Sequence, residues 1–502
     1  MNAGLPVPSR IASRLGPALG QRVLSAALAL LTFITLVAAA LIAARHFDDR
    51  HGLSHVHGAW LALAERANHG DWYPPPFDGQ TYAGTRFMPL GIGVLAGFLR
   101  VFGDPLLASK LAALCTSVAL IGVLGRALMQ AGLPRAYALS GGALVLLSSP
   151  GIYGLVGYRG DVLPVVFQVW AVSLIADHQD PSPRRYAGAG GLAALAVLAK
   201  LSALWAGGAI GLVALAAGRR AFVPFAVTAL STLSLGLVGT ELLSGGHFFE
   251  NILGLSGSGI AGGLKGAPGK FHYLWLESSL LSWAVLPVVL YGFWSSLARG
   301  RLELVQIAFV MAVLLGLVIL ADPGTYANHL LDVVVLSVWL SGRVLSDGLA
   351  TPGPRTVPAL LGVTVLVAGL AGLDRSVADD LRAPRREPRD PLASVVPGPG
   401  PYLFEDATIP ILRGQRPLVL DAWMFLRYTA RHPEAEGHLL GMIEKRELSH
   451  VVLLRDPLGP GAEEWYRVQA YGPKVTAAIL ANYQAAEVVE GYHVFRPRPA
   501  AP

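Results

Sequence analysis

A series of long apolar runs, separated by short polar connections, constrains this chain more than any other feature. A run of about 20 apolar residues can cross a hydrocarbon core roughly 30 Å thick as a helix. Of the 502 residues, 53% are hydrophobic and only 14% are charged, whereas a soluble protein carries about a quarter charged residues. The sequence therefore predicts a polytopic α-helical membrane protein with about eleven transmembrane helices. These predicted spans are 23–43, 106–126, 136–156, 161–177, 186–200, 201–217, 221–243, 278–298, 302–321, 328–347 and 356–373.

Charge and cysteine content exclude two other classes of protein. The formal net charge is +6, and loop arginines that set membrane topology explain it better than a nucleic-acid surface does, so no nucleic-acid partner is predicted. The single cysteine, Cys115, lies in an apolar run. The chain therefore has no intrachain disulfide framework and no cysteine-based metal site.

One apolar stretch, YAGTRFMPLGIGVLAGFLRVFGDP at 82–105, decides the topology. It opens on Arg86, contains Pro89 and carries Arg100 near its end, which is unusual for a spanning helix. If it crossed the bilayer, every arginine-bearing connection after it would lie outside; if it lies flat, all of them lie in the cytoplasm, as positively charged short loops should. Those arginines are Arg126, Arg135, Arg184, Arg185, Arg219, Arg220, Arg299, Arg301, Arg343 and Arg355. We therefore predict an interfacial segment, a cytoplasmic N-terminus and an extracytoplasmic C-terminus.

With this topology the polar segments gather on the external side. They are the long first loop up to about residue 105, the segments 158–161, 244–277 and 322–329, and the tail after residue 374. Lys200 also lies at the external end of two short helices. Ionisable groups at membrane depth are costly and by default indicate a functional site.

The tail predicts a second domain. Residues 375–400 are rich in proline, arginine and aspartate and show no apolar periodicity, which is typical of a linker. In 401–502 the runs PYLFED, RPLVLD, SHVVLLRD and YHVFRP resemble strands, and helical patterns lie near 436–446 and 473–481. We predict a transmembrane domain over 1–374, the linker, and a small extracytoplasmic α/β domain over 401–502.

The first external loop contains the most distinctive motifs. Asp48 and Asp49 follow the first span, HGAWLALAERANHG has the spacing of an interfacial amphipathic helix, and GDWY precedes TRFMPLG. This order resembles the GT-C glycosyltransferases, a superfamily that includes protein O-mannosyltransferases and aminoarabinose transferases. The segments GYRGDVLPVVFQVWAVSLIAD, LAALAVLAKLSALWAG and GTYANHLLDVVVL resemble further parts of those enzymes, as does the tail.

The resemblance implies a fold, a reaction and a location. It implies an inverting glycosyltransferase that moves a sugar from a polyprenyl-phosphate donor to a lipid, glycan or protein acceptor. The donor's lipid lies in a bacterial-type cytoplasmic membrane, and the reaction takes place on the outer face. An acceptor hydroxyl needs a carboxylate base, which the family usually places in the first external loop, so Asp48 and Asp49 are the candidate catalytic residues. The pair is also a candidate site for a divalent cation such as Mg²⁺ or Mn²⁺.

The resemblance also suggests residues that bind substrate. Arg86, Arg159 and Lys200 are candidates for holding the lipid phosphate, because charge develops there as the glycosidic bond breaks. His329 is a weaker candidate for this role, and Glu65 is a reserve base. The remaining candidates for substrate binding are Tyr82, Asp161 and Asn328.

Structural roles compete with each assignment. Asp48 and Asp49 suit a solvated helix end, Arg159 and Asp161 suit an ion-pair clamp, and Lys200 suits a side chain that snorkels to the interface. Three other functions compete as well: a lipid or sugar transporter or flippase, a non-catalytic envelope-assembly protein, and a polymerase or ligase of the O-antigen type. A transporter tends to show internal repeats with polar groups at the bilayer midplane, and neither pattern is visible in this sequence.

Overall fold

The computed structural model describes residues 17–51, 53–256, 266–277, 280–322, 324–350, 378–383, 390–398 and 400–499. The described part of the membrane domain is helical. Its helices are α1 (Pro17–Arg45), α2 (His55–Asn68), α3 (Pro89–Phe102), α4 (Pro105–Gln130), α5 (Arg135–Leu147), α6 (Ser149–Val156), α7 (Val162–Ser173), α8 (Pro183–Ala199), α9 (Trp205–Ala217), α10 (Arg219–Leu243), α11 (His247–Ser256), α12 (Ala267–Glu277), α13 (Leu280–Ala298), α14 (Leu304–Ile319), α15 (Leu331–Ala350) and the helical segment α16 (378–382).

The predicted spans coincide with helices as far as the structure describes them. Each one from 23–43 to 328–347 overlaps a helix or a helix pair, whereas 356–373 lies outside the described residues. By length and composition, 3 of the described helices can cross a membrane, or up to 4 if a bent pair counts as one span. That pair is α5 and α6, which meet at 89° at the position of the predicted span 136–156. The fold is therefore a polytopic helical membrane fold, and the number of spans stays a prediction.

The ambiguous stretch at 82–105 forms a short helix. α3 has 14 residues, so it is about 21 Å long, which is less than the roughly 30 Å of a hydrocarbon core. Gly103 ends it with a φ of +72°, a backbone conformation that glycine adopts without strain. Asp104 then caps α4 by accepting a hydrogen bond from the backbone N–H of Leu107 at 2.9 Å, and Pro105 occupies the first turn. These local signals separate α3 from α4 and keep α3 too short to span.

The C-terminal domain is a small α/β unit. Its strands β1 (Tyr402–Phe404), β2 (His450–Leu453), β3 (Tyr483–Val489) and β4 (Tyr492–Pro497) form one sheet in the order β1-β2-β4-β3. β1 and β2 are parallel, whereas β4 is antiparallel to both β2 and β3. The helices of this domain are α17 (Thr408–Leu412), α18 (Ala422–Thr429), α19 (Pro433–Glu444), α20 (Ala462–Val468) and α21 (Pro473–Asn482).

The segment between α1 and α4 and the C-terminal domain are packed together. The backbone of Tyr82 donates to the carbonyl of Leu418 at 2.9 Å and accepts from the N–H of Leu420 at 2.8 Å. In α2, a Cβ built on Gly58 would lie 2.2 Å from the backbone nitrogen of Thr408, so only glycine permits this approach. α2 was predicted as an interfacial helix with one solvated face, but most of it is buried between α3 and the C-terminal domain.

Candidate functional site

A cavity of about 360 Å³ lies where several helices end beneath the C-terminal domain. Its lining residues come from breaks between helices: the segment before α3, the turns between α6 and α7 and between α8 and α9, and the 3₁₀ turn Ala327–Leu330 before α15. The C-terminal domain contributes residues from α18 and α20. Sequence positions far apart meet here, and the sequence-predicted residues among them are Arg86, Arg159, Asp161, Lys200, Asn328 and His329.

Asp161 is the centre of the polar network in this cavity. Its Oδ1 accepts a hydrogen bond from Lys200 Nζ at 2.6 Å, and Arg159 Nε lies 3.5 Å from its Oδ2. Asn328 Nδ2 lies 3.1 Å from each carboxylate oxygen. The Asp161 side chain is only 8% exposed, so these contacts operate in a medium that screens charge weakly. Burial raises the pKa of Asp161, but the charges of Lys200 and Arg159 outweigh it and lower the pKa to about 2.

A glycine allows two neighbouring charged side chains to line the same cavity. Gly160, between Arg159 and Asp161, has a φ of +73°, in the left-handed region that glycine favours. A Cβ at this position would also lie 2.4 Å from the ring of Trp60. The R-G-D order in the α6–α7 turn therefore depends on glycine twice, once for backbone conformation and once for space.

The cations beside Asp161 keep spare hydrogen-bonding capacity. A guanidinium offers five N–H donors and an ammonium offers three. Among the described residues Arg159 contacts only Asp161 as an ion pair, and Lys200 donates one hydrogen bond. Their side chains are 15% and 23% exposed, so both are partly withdrawn from solvent. Asp161 holds both cations in place while leaving donors available to an anion in the cavity.

A second ion pair lines another part of the cavity. Arg86 Nη1 donates to Asp322 Oδ2 at 2.6 Å, and its guanidinium lies 4.2 Å from the ring centroid of Trp423 in α18. Asp322 Oδ1 in turn accepts from the backbone N–H of Gly324 at 2.9 Å. Arg86 therefore connects the segment before α3, the segment after α14 and the C-terminal domain at one point.

Solved structures with the same architecture cover nearly the whole chain. ArnT from Cupriavidus metallidurans bound to undecaprenyl phosphate matches with a TM-score of 0.57 and 13% identity, over 94% of this chain and 99% of that chain. The archaeal oligosaccharyltransferase AglB from Archaeoglobus fulgidus, in complex with an inhibitory peptide and a dolichol-phosphate, matches with a TM-score of 0.57 and 13% identity, over 94% of this chain and 75% of that chain. No family model and no curated protein matches the chain.

The chain has the GT-C fold. The resemblance drawn from the first-loop motifs is thereby confirmed for the architecture. At 13% identity the likeness establishes the fold alone, and the role of each cavity residue stays a prediction.

Within this GT-C fold, the candidate catalytic pair lies outside the cavity. Asp49 is 2% exposed; its Oδ2 lies 2.9 Å from His46 Nδ1, and its Oδ1 accepts from the backbone N–H of His51 at 2.8 Å. Burial raises the pKa of Asp49, and the hydrogen bonds from His46 and His51 outweigh it, so the net direction is downward. Asp48 is exposed and does not line the cavity either. Their catalytic role stays a prediction.

The divalent cation suggested for Asp48 and Asp49 also stays a prediction. Each oxygen of Asp49 already accepts one hydrogen bond in the described fold. In the described ranges no group of three or more His, Cys, Asp or Glu side chains is arranged to hold a metal ion. We therefore derive no step of the reaction from a metal.

Two candidate substrate-binding residues have other surroundings. Tyr82 is 3% exposed and its hydroxyl donates to the carbonyl of Ala435 at 2.5 Å, so it joins the first loop to the C-terminal domain. Burial raises its pKa. Glu65 lines a separate cavity of about 430 Å³ between the ends of α2 and α3 and the segment after α17. Neither residue reaches the cavity that contains Arg159 and Lys200.

Sequence reasoning missed several residues that line the cavity. Asp322 was placed only in an external loop, and Trp60 was assigned only to the interfacial helix. The residues from the C-terminal domain, Asp421, Trp423 and Trp465, carried no recognisable motif. The available signal was the clustering of tryptophan with acidic residues in LDAWM and AEEWY, which alone does not distinguish a site from a core.

Proposed function

We propose that this chain is an inverting glycosyltransferase that transfers a sugar from a polyprenyl-phosphate donor to a lipid, glycan or protein acceptor. The GT-C fold supports this, as do the ligands of the two similar structures, undecaprenyl phosphate and dolichol-phosphate. The apolar helices support a membrane location. In this proposal the cavity opens at the outer face of a bacterial-type cytoplasmic membrane, and the C-terminal domain is extracytoplasmic.

The observation that carries the proposal is a pair of cations in the cavity whose N–H donors are mostly unoccupied within the described structure. Arg159 and Lys200 are held by Asp161, and within the described structure most of their N–H donors have no protein acceptor. A phosphate supplies several anionic oxygens, and a guanidinium can bind two of them at once. A lipid phosphate therefore fits the donor pattern that the network leaves open.

The same geometry suits phosphate as a leaving group. Negative charge grows on the phosphate as its bond to the sugar breaks, and positioned cations stabilise that charge more than they stabilise the intact donor. Asp161, itself held by Asn328, restrains the two cations before substrate arrives, so little reorganisation is needed during the reaction. Arg86 is a third cation at this cavity, but its ion pair with Asp322 occupies one of its terminal nitrogens.

The acceptor hydroxyl requires a base within hydrogen-bond reach. Asp48 and Asp49 are the base predicted by the family resemblance, and they lie outside the described cavity. In this proposal they act only if substrate binding moves the first external loop toward the cavity. Asp161 is a poor base because its carboxylate is already committed to Lys200, Arg159 and Asn328.

The experiment offers purified protein radiolabelled polyprenyl-phosphate mannose, arabinose or glucose and measures both retained and transferred label. We expect wild-type protein to retain at least one of these lipids, and Arg159→Ala and Lys200→Ala to reduce retention by tenfold or more. Arg184→Ala is the matched control, since Arg184 is exposed at the start of α8, at the opposite end of that helix from Lys200, and does not line the cavity. No retention of any polyprenyl-phosphate sugar by the wild type contradicts the proposal.

A further inference from the structure

The C-terminal domain forms part of the wall of the cavity. Asp421 and Trp423 at the start of α18, and Trp465 in α20, line the same space as Arg159 and Lys200. A domain that merely bound a separate partner would have no need to place these side chains there. The part of the cavity wall formed by these three residues is therefore placed to contact a ligand.

Trp465 is held in one orientation by a buried carboxylate. Its Nε1 donates to Glu405 Oε1 at 2.8 Å, and Glu405 is only 4% exposed. Glu405 Oε2 also accepts from the backbone N–H of Leu454 at 2.8 Å and from the hydroxyl of Tyr466 at 3.1 Å. The guanidinium of Arg455 lies 4.3 Å from the indole ring centroid. Burying a carboxylate is costly unless it is fully bonded, and here its bonds fix an aromatic ring at the cavity.

Asp421 contributes a fixed hydrogen-bond acceptor on the same wall. Its Oδ1 caps α18 by accepting from the backbone N–H groups of Trp423 at 2.9 Å and Met424 at 3.1 Å. Its other oxygen, Oδ2, forms no hydrogen bond with the described residues. Because the cap restrains the carboxylate, Oδ2 has a defined position from which it can accept a hydrogen bond from a ligand.

We propose that this wall binds the sugar ring of the lipid-linked donor. An indole offers an apolar face for the C–H groups of a saccharide ring, and the free oxygen of Asp421 offers an acceptor for a sugar hydroxyl. The cations that suit the phosphate line the same cavity, and in the donor the sugar is bonded directly to that phosphate. The inference rests on the proposed function and adds that the C-terminal domain selects the sugar.

The test compares lipids with and without a sugar. The dissociation constants of undecaprenyl phosphate and of its mannose, arabinose and glucose conjugates are measured for the full-length protein and its variants. We expect the wild type to bind at least one conjugate more tightly than the bare lipid. Trp465→Ala should remove about tenfold of that preference while leaving the affinity for bare undecaprenyl phosphate unchanged.

Two further variants protect the test against loss of folding. Trp465→Phe keeps an aromatic face and should retain most of the preference for the conjugate. Asp421→Asn keeps an oxygen for the α18 cap, and it should weaken binding of the conjugate several-fold without affecting the bare lipid. Trp294→Ala, at a residue 72% exposed on α13, is the control for loss of a tryptophan and should change neither affinity.

The outcomes separate this inference from the proposed function. If the wild type binds neither the bare lipid nor any conjugate, the proposed function fails. If it binds the bare lipid but prefers no conjugate, or if Trp465→Ala and Asp421→Asn both retain the full preference, the sugar-binding role of the C-terminal domain is overturned while the lipid-phosphate site stands.

Discussion

Replacing Asp161 by Asn tests whether this carboxylate neutralises the same two cations that would bind an anionic ligand. Asp161 lies between Lys200 and Arg159 with its side chain 8% exposed, so its charge is weakly screened. Asn keeps the shape and can still accept a hydrogen bond, but it removes the negative charge. The variant therefore leaves two cations close together without their counter-ion.

The expected destabilisation follows from the network. A fall in the pKa of Asp161 from 3.8 to about 2 corresponds to roughly 2 kcal/mol in favour of the ionised, folded form. Breaking a buried ion pair typically costs about 3–5 kcal/mol. We expect Asp161→Asn to lower the free energy of unfolding by about 3 kcal/mol at pH 7. Because the folded-state pKa is depressed, this stabilisation is present above about pH 3.8 and disappears as the pH falls through about 2.

The same substitution should strengthen binding of a lipid phosphate. In the wild type a phosphate at Lys200 and Arg159 is repelled by Asp161; at a separation of about 4 Å and an effective dielectric constant near 20 this repulsion is about 4 kcal/mol. Removing this repulsion favours binding, but part of the gain is lost because the two cations are less ordered in the variant. We expect undecaprenyl phosphate to bind on the order of tenfold more tightly to Asp161→Asn, and to raise its Tm more than it raises that of the wild type.

The assay is thermal unfolding in detergent, with and without undecaprenyl phosphate. Asp180→Asn is the matched control, because Asp180 is exposed in the connection between α7 and α8, and it should change neither Tm nor the ligand-induced shift. An unchanged Tm for Asp161→Asn would refute the account of the network. A lower Tm with no gain in lipid stabilisation would refute the idea that Asp161 occupies the place of the phosphate charge.

Four other substitutions probe the site and its surroundings. Asp48→Asn should abolish transfer with an unchanged Tm if the first loop supplies the base, whereas Asp49→Asn should lower the Tm as well, because Asp49 is buried and hydrogen-bonded to His46 whereas Asp48 is exposed; equal Tm values would contradict this. Burial lowers the pKa of His57 to about 3, so stability should fall by about 2 kcal/mol between pH 6.5 and 5, and a pH series of Tm values should be flatter for His57→Gln. In Gly160→Ala the alanine would have to adopt a positive φ, and its Cβ would clash with the ring of Trp60. The substitution should therefore lower the free energy of unfolding by about 2 kcal/mol or more and reduce lipid retention; a normal Tm and normal retention would contradict the steric argument.

The fold was predictable where a single physical rule decides it. Apolar runs located the helices, and the loop arginines predicted that 82–105 does not span; in the structure Gly103, Asp104 and Pro105 form the break that keeps α3 short. The C-terminal sheet was less predictable. RPLVLD at 416–421 forms no strand, because its backbone pairs with Tyr82 in an isolated bridge, and β3 at Tyr483–Val489 was missed because most of its residues are exposed. Pairing with a distant segment decided the first case, and pairing with the adjacent strand β4 decided the second.

The candidate site was predictable in its cations and less so in its carboxylates. Arg159, Lys200 and Arg86 stand out because charged residues beside apolar runs are rare. Asp49 has the same local signature, yet in the structure it is buried beside His46 and lies outside the cavity. Sequence spacing shows that an acidic side chain lies near a helix end, but it does not show which neighbours will occupy its oxygens.

The position of the C-terminal domain links binding to domain packing. Arg86 contacts Trp423 at 4.2 Å, and it lies four residues after Tyr82, whose backbone pairs with the segment just before α18. A shift of the domain would therefore move Trp423 and Arg86 together and change the cavity that contains Lys200. Since separate parts of the chain complete one wall, docking of the C-terminal domain is a structural requirement of the site rather than an addition to it.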